Sequence, residues 1–151
     1  MMYKTIAAFV LGIFLLTVAA CDKDDDNKPA NVVNFSGTMS GANEVPAVTT
    51  PATGTVTAQF NTDTKILTLN MVYSGLSSAA TVWHVHKGAV GVGGAPVAGL
   101  NFGSITASPF TWTSTPLDAT MEADLMANNY YANIHTVNNA GGELRGQLTK
   151  Q

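Results

Sequence analysis

The 151-residue sequence predicts an all-β fold, an antiparallel Greek-key β-sandwich with one short crossover helix. Apolar side chains alternate with polar ones in segment after segment, the period of a half-buried strand. The composition agrees: 19 Thr and 14 Val favour strands, while 12 Asn and 14 Gly favour the turns between them. Only one stretch carries a helix-start signal. Hydrophobic residues make up 46% of the chain, enough for a core, and the length suits one domain of about 120 residues behind a leader.

Residues 1–20 read as an export signal. Lys4 supplies a positive start, and Ile6–Ala20 is an apolar run of fifteen residues, short of the roughly 18 that a membrane span needs. The run ends in Val18-Ala19-Ala20-Cys21, which resembles the lipobox of bacterial lipoproteins. Small residues there let a peptidase approach the backbone, and the thiol accepts a diacylglyceryl group. Cys21 is the only cysteine, so no intrachain disulfide can form, and acylation caps an otherwise reactive exported thiol. Cys21 is therefore the expected lipidation site, carrying palmitate-type chains that together anchor stably. Residues 21–31 form an acidic tether, with four Asp and two Lys between Asp22 and Pro29. This leader implies a bacterial cell-envelope protein, lipid-anchored in the outer membrane and facing the periplasm or the surface, with the membrane as its first partner.

The folded domain is expected over residues 32–151. Phe35, Gly37 and Met39 share one strand parity, and Val56, Ala58 and Phe60 another. Asn61-Thr62-Asp63-Thr64 is a turn signal leading into the clearest strand, where Leu67, Leu69, Met71 and Tyr73 alternate with polar residues. Trp83 and Val85 alternate with His84 and His86. Gly88–Gly103 reads as a glycine-rich loop. Thr115-Pro116-Leu117-Asp118 then places Thr at a helix N-cap and Pro at the first helical position, followed by Leu117, Met121 and Leu125 every four residues. Ala132 and Ile134 alternate with Asn133 and His135, and Leu144 and Leu148 with Glu143, Arg145 and Gln147. Leu67, Leu69, Met71, Tyr73, Ile134, Leu144 and Leu148 are the expected shared core.

Several functions are excluded at once. A net charge of −3 and a low charged fraction, 11%, leave no basic stripe for nucleic acid. The glycine-rich loop lacks the following helix and the Lys-Ser/Thr step of a phosphate cradle. Asn34-Phe35-Ser36 matches a glycosylation sequon only by accident in a lipobox protein. Neither a nucleophile elbow nor a Ser/His/Asp or Cys/His set is present, so the chain is not expected to be an enzyme.

The histidines are the remaining candidates. His84 and His86 lie two apart on one face of a strand, opposite Trp83 and Val85, and His135 has the same outward parity. Three outward imidazoles converging across strands would suit copper or zinc. Asn133 or a backbone carbonyl could orient their second nitrogens, and Glu143 could fill an open position. Glu143 and Arg145 are expected to face outward with Gln147, Arg145 pairing with Glu143 or Glu44 as an exposed ion pair.

Four landmarks resemble the CHRD domain, the module named after chordin, an extracellular antagonist of growth factors. They are Ser40-Gly41-Ala42-Asn43-Glu44-Val45-Pro46, Gly75-Leu76 with His84-Val85-His86-Lys87-Gly88, Tyr130-Tyr131-Ala132-Asn133-Ile134-His135-Thr136, and Gly141-Gly142-Glu143-Leu144-Arg145-Gly146-Gln147. The resemblance implies a non-enzymatic binding or structural module with a protein or glycan partner. A looser likeness is to copper/zinc superoxide dismutase, whose immunoglobulin-like barrel also carries an outward His-Val-His. A fourth copper histidine, a zinc loop and a disulfide are absent here, which argues against dismutation and leaves metal binding at His84, His86 and His135 as the alternative.

Overall fold

In the computed structural model, residues 31–104 and 107–151 are described; the expected leader, Cys21 and all of the tether except Asn31 lie outside them. Among the described residues, nine strands form one antiparallel sheet: β1 (Val32–Ser40), β2 (Thr53–Asn61), β3 (Ile66–Ser74), β4 (Ala80–Lys87), β5 (Pro96–Phe102), β6 (Phe110–Thr113), β7 (Tyr130–Thr136), β8 (Leu144–Gln147) and β9 (Thr149–Lys150). Their order is β5-β4-β7-β8-β1-β2-β3-β6, with β9 beside β1. The chain crosses from one half to the other between β3 and β4, between β5 and β6 and again between β6 and β7. The last of these crossings carries the helix α1 (Ala119–Met126).

The sheet is curled, and its packing shows how. Phe35, Ala58, Leu69 and Trp112 form one inward row across β1, β2, β3 and β6. Trp83, Ile134 and Leu144 form another across β4, β7 and β8. Trp83 meets Phe110 edge-on at 4.6 Å and Trp112 at 6.2 Å, so strands far apart in the order face each other across one apolar interior. Leu67, Leu69, Met71, Ile134, Leu144 and Leu148 are buried there as expected, and Tyr73 packs half-buried at its margin.

Local chemistry explains the joints. At the β2–β3 turn, the Asn61 Oδ1 accepts from the amides of Asp63 and Thr64, each at 2.9 Å. The helix start differs from the expected one. Asp118 is the N-cap, its Oδ1 accepting from the Met121 amide at 2.8 Å. Thr115 and Pro116 stay outside the helix because the residues on either side of them bond to β3 and its turn: Ser114 N donates to Leu67 O and Leu117 N to Lys65 O. The second half of Gly88–Gly103 is strand rather than loop. Residues 96–102 pair with β4, and Leu100 reaches the core at 2% exposure.

Candidate metal centre

Strand parity places His84, His86 and His135 on the face of β4 and β7 opposite Trp83, Val85 and Ile134. The expectation that this face is open is corrected by the structure. His86 and His135 are buried and His84 is half-buried, because the segments 41–48, 88–95 and 138–142 fold over the outer face of β4, β7 and β8. β7 is consequently buried at all seven positions. The result is a second interior, lined by polar side chains.

Within it the three imidazoles converge. His84 Nδ1 lies 3.2 Å from His135 Nε2, which lies 3.4 Å from His86 Nε2. One nitrogen from each ring falls within 4.8 Å of the others. An ion bonded to two imidazoles at about 2.0–2.1 Å with tetrahedral angles sets its nitrogens about 3.3 Å apart, so the His84–His135 and His86–His135 spacings fit.

The second nitrogens fix the tautomers. His86 Nδ1 sits 2.8 Å from the Gly94 carbonyl and His135 Nδ1 3.0 Å from that of Ala140. A carbonyl only accepts, so both Nδ1 atoms carry the hydrogen and both Nε2 atoms present lone pairs to the shared space. These lone pairs oppose each other, and a hydrogen on His84 Nδ1 can satisfy only one of them. A cation at their centre turns that repulsion into coordination. Burial, chiefly, and the neighbouring histidines push the His84 pKa below its ordinary value. Burial lowers that of His86 as well; the Gly94 carbonyl opposes this, and His135 and Arg145 reinforce it. Neutral rings are the metal-binding form.

The expected supporting residues are placed differently. Asn133 stands opposite His84 in the ladder, but its Nδ2 donates to Glu44 Oε2 at 3.2 Å; backbone carbonyls orient His86 and His135. Glu143 is fully buried rather than outward, and both oxygens are occupied: Thr50 Oγ1 and the Ser77 amide donate to Oε1, Thr136 Oγ1 and Ser77 Oγ to Oε2. It cannot serve as a ligand. Arg145 is 2% exposed and forms no exposed pair with Glu143. Its guanidinium stacks 3.6 Å above the Tyr131 ring, and Nη2 donates to the carbonyls of Ala89 and Val92. Tyr131 in turn stacks on His86 at 5.0 Å.

Tyr131 was not singled out by sequence, and Glu44 was expected only as an exposed ion-pair partner for Arg145, whereas it is buried and bonded to Asn133. Tyr131 shares the parity of Asn133 and His135, which was the available signal; Glu44 lies in an irregular segment with no periodicity to read. Gly94 is required where it is, since an added Cβ would collide with the Lys87 carbonyl and displace the oxygen that holds His86.

The sequence profile of the CHRD domain matches residues 35–148, the span from β1 to the residue after β8. No curated protein and no solved structure is similar enough to the chain to count as a match. The match spans most of β1, all of β2 to β8 and every polar residue named in the second interior, and the chain belongs to the CHRD domain family.

Proposed function

We propose that the chain is a lipid-anchored, non-enzymatic module of the bacterial cell envelope whose CHRD domain binds one copper or zinc ion through His84, His86 and His135. The observation that carries this reading is the pair of Nδ1–carbonyl contacts at His86 and His135, which leaves two lone pairs aimed at one point. Three neutral imidazoles without a carboxylate or thiolate favour Cu(II) over Zn(II) by the usual order of affinities. The half-buried side of the site, at His84, leaves solvent a route to a further coordination position. Calorimetric titration of Cu(II) and Zn(II) into the purified chain tests the reading. Binding of one ion is expected, weakened more than about tenfold by His84→Ala, His86→Ala or His135→Ala, since even supporting residues are worth about that much. Absence of binding, or binding unchanged in all three variants, overturns it.

A protein or glycan partner is the second reading. Val45, Val90 and Val92 are exposed at 48%, 77% and 54% on adjoining segments, an apolar rim that the fold itself does not require.

A further inference from the structure

Beside the histidines, two interior oxygens have no hydrogen-bond donor: Glu44 Oε1 and Asn133 Oδ1. They belong to side chains that are already joined, since Asn133 Nδ2 donates to Glu44 Oε2. Glu44 is 8% exposed and Asn133 2%. Buried acceptors without donors are rare in native proteins and call for an explanation. A carboxylate and an amide can offer only one N–H···O bond here, and the two remaining oxygens are left without a donor. One hydrogen removes both defects. With it on Oε1, the acid donates to Asn133 Oδ1 while the amide donates to Oε2, closing a ring of two hydrogen bonds.

We propose that Glu44 is a proton-binding site, a neutral carboxylic acid whose hydrogen closes an acid–amide pair with Asn133 and so clasps the segment Gly41–Val48 onto β7. The electrostatics agree: burial pushes the Glu44 carboxyl up to about 7, against the opposing pull of the Asn133 amide and the Arg145 charge. The charged group that acts on the Glu44 carboxyl is Arg145 from β8; the titratable neighbours of its partner Asn133 are His84, across the ladder on β4, and His135, two residues along β7. Arg145 is engaged by Tyr131 and two loop carbonyls. From the 88–92 loop, Val90 and Gly91 border the adjoining cavity and bring no charge.

The clasp has something to hold shut. Glu44 lines a cavity of about 390 Å³ between its own segment and Val90 and Gly91, with Arg145 and Gln147 also in the wall. The segment is otherwise tied to the strands through Asn43 Nδ2, which donates to the carbonyls of Thr38 at 3.0 Å and Arg145 at 3.1 Å, and it closes on itself where the Val48 amide donates to Gly41 O at 2.9 Å. Loss of the proton sets a buried charge against the Asn133 oxygen, and the segment loosens from β7. A pKa raised on folding contributes stability that is complete below the ordinary value of 4.5 and is lost as pH rises through about 7.

Glu44→Gln copies the neutral acid, since Nε2 can donate to Asn133 Oδ1 and Oε1 can accept from Nδ2. Urea unfolding of the purified full chain and the variant should give equal stability near about pH 5 and a more stable variant near about pH 8. At the higher pH, amide exchange over residues 41–48 should be faster in the parent than in the variant. Infrared spectra of the parent should show the carbonyl stretch of a protonated carboxylic acid that titrates away around neutrality and is missing from the variant. A variant less stable than the parent by the same margin at both pH values, or a parent with only carboxylate bands at about pH 6, overturns the proposal. Should the variant not fold, the parent's infrared titration decides alone. None of these measurements involves metal, so the outcome is separate from that of the histidine site.

Discussion

Glu143 accepts four hydrogen bonds from three separate parts of the chain: Thr50 before β2, Ser77 between β3 and β4, and Thr136 at the end of β7. Burial acts to raise its pKa, but the bonds from Thr136, Thr50 and Ser77 outweigh it and hold the carboxyl down at about 2. A lowered pKa means stability that is present above the ordinary 4.5 and is lost as pH falls through about 2. Glu143→Gln turns an amide N–H toward groups that are themselves donating, so it should cost about 2–4 kcal/mol at neutral pH and flatten the acid limb in urea unfolding. His84 and His86 titrate with the same sign, since their lowered pKa values keep the rings neutral below 6.5. Metal affinity should therefore survive to lower pH than that of exposed imidazoles and then fall as protons compete, which calorimetry between about pH 7.5 and about pH 5 would measure. The parity of all these residues was legible in the sequence, because period two is fixed by the pleat. Their burial was not, because it comes from distant irregular segments whose sequences carry no period.

At the level of elements, β1 to β4, β7 and β8 were readable because each sets apolar residues against polar ones on alternate sides. β5 escaped because Gly99 and the glycines before it mask a strand whose only fully buried apolar anchor described is Leu100. The helix was readable in existence but not in its start. Thr115-Pro116 carries a genuine capping signal, yet two backbone bonds to the β3 side override it and the role passes to Asp118. Asp118→Ala should cost about 1 kcal/mol in thermal or urea unfolding, and Thr115→Ala should stay within about 0.5 kcal/mol of the parent. Equal effects at the two positions would return the cap to Thr115.

At the scale of the whole molecule, the proposed anchor would hold the domain by its first strand. β1 pairs with β2 along all nine of its residues and also contacts β8 and β9, so a tether entering at Val32 attaches to the centre of the sheet rather than to an edge. Among the described residues no helix is long and apolar enough to cross a membrane, and membrane attachment in our reading falls to Cys21. Cys21→Ser should abolish acylation and move the protein from the detergent phase to the aqueous phase on partitioning, or leave it unprocessed, with metal binding unaltered. An unmodified thiol at position 21 in native protein would end that reading.

The burial of β7 on both faces bears on how the sequence can change over time. Most strands of a sandwich offer one side where substitution is nearly neutral. Tyr130–Thr136 offers none: Tyr130, Ala132 and Ile134 sit in the apolar core, and Tyr131, Asn133 and His135 bond or stack beneath the covering loops. Drift in this strand is confined to changes that two unlike interiors accept at once, one rejecting polarity and the other rejecting its loss.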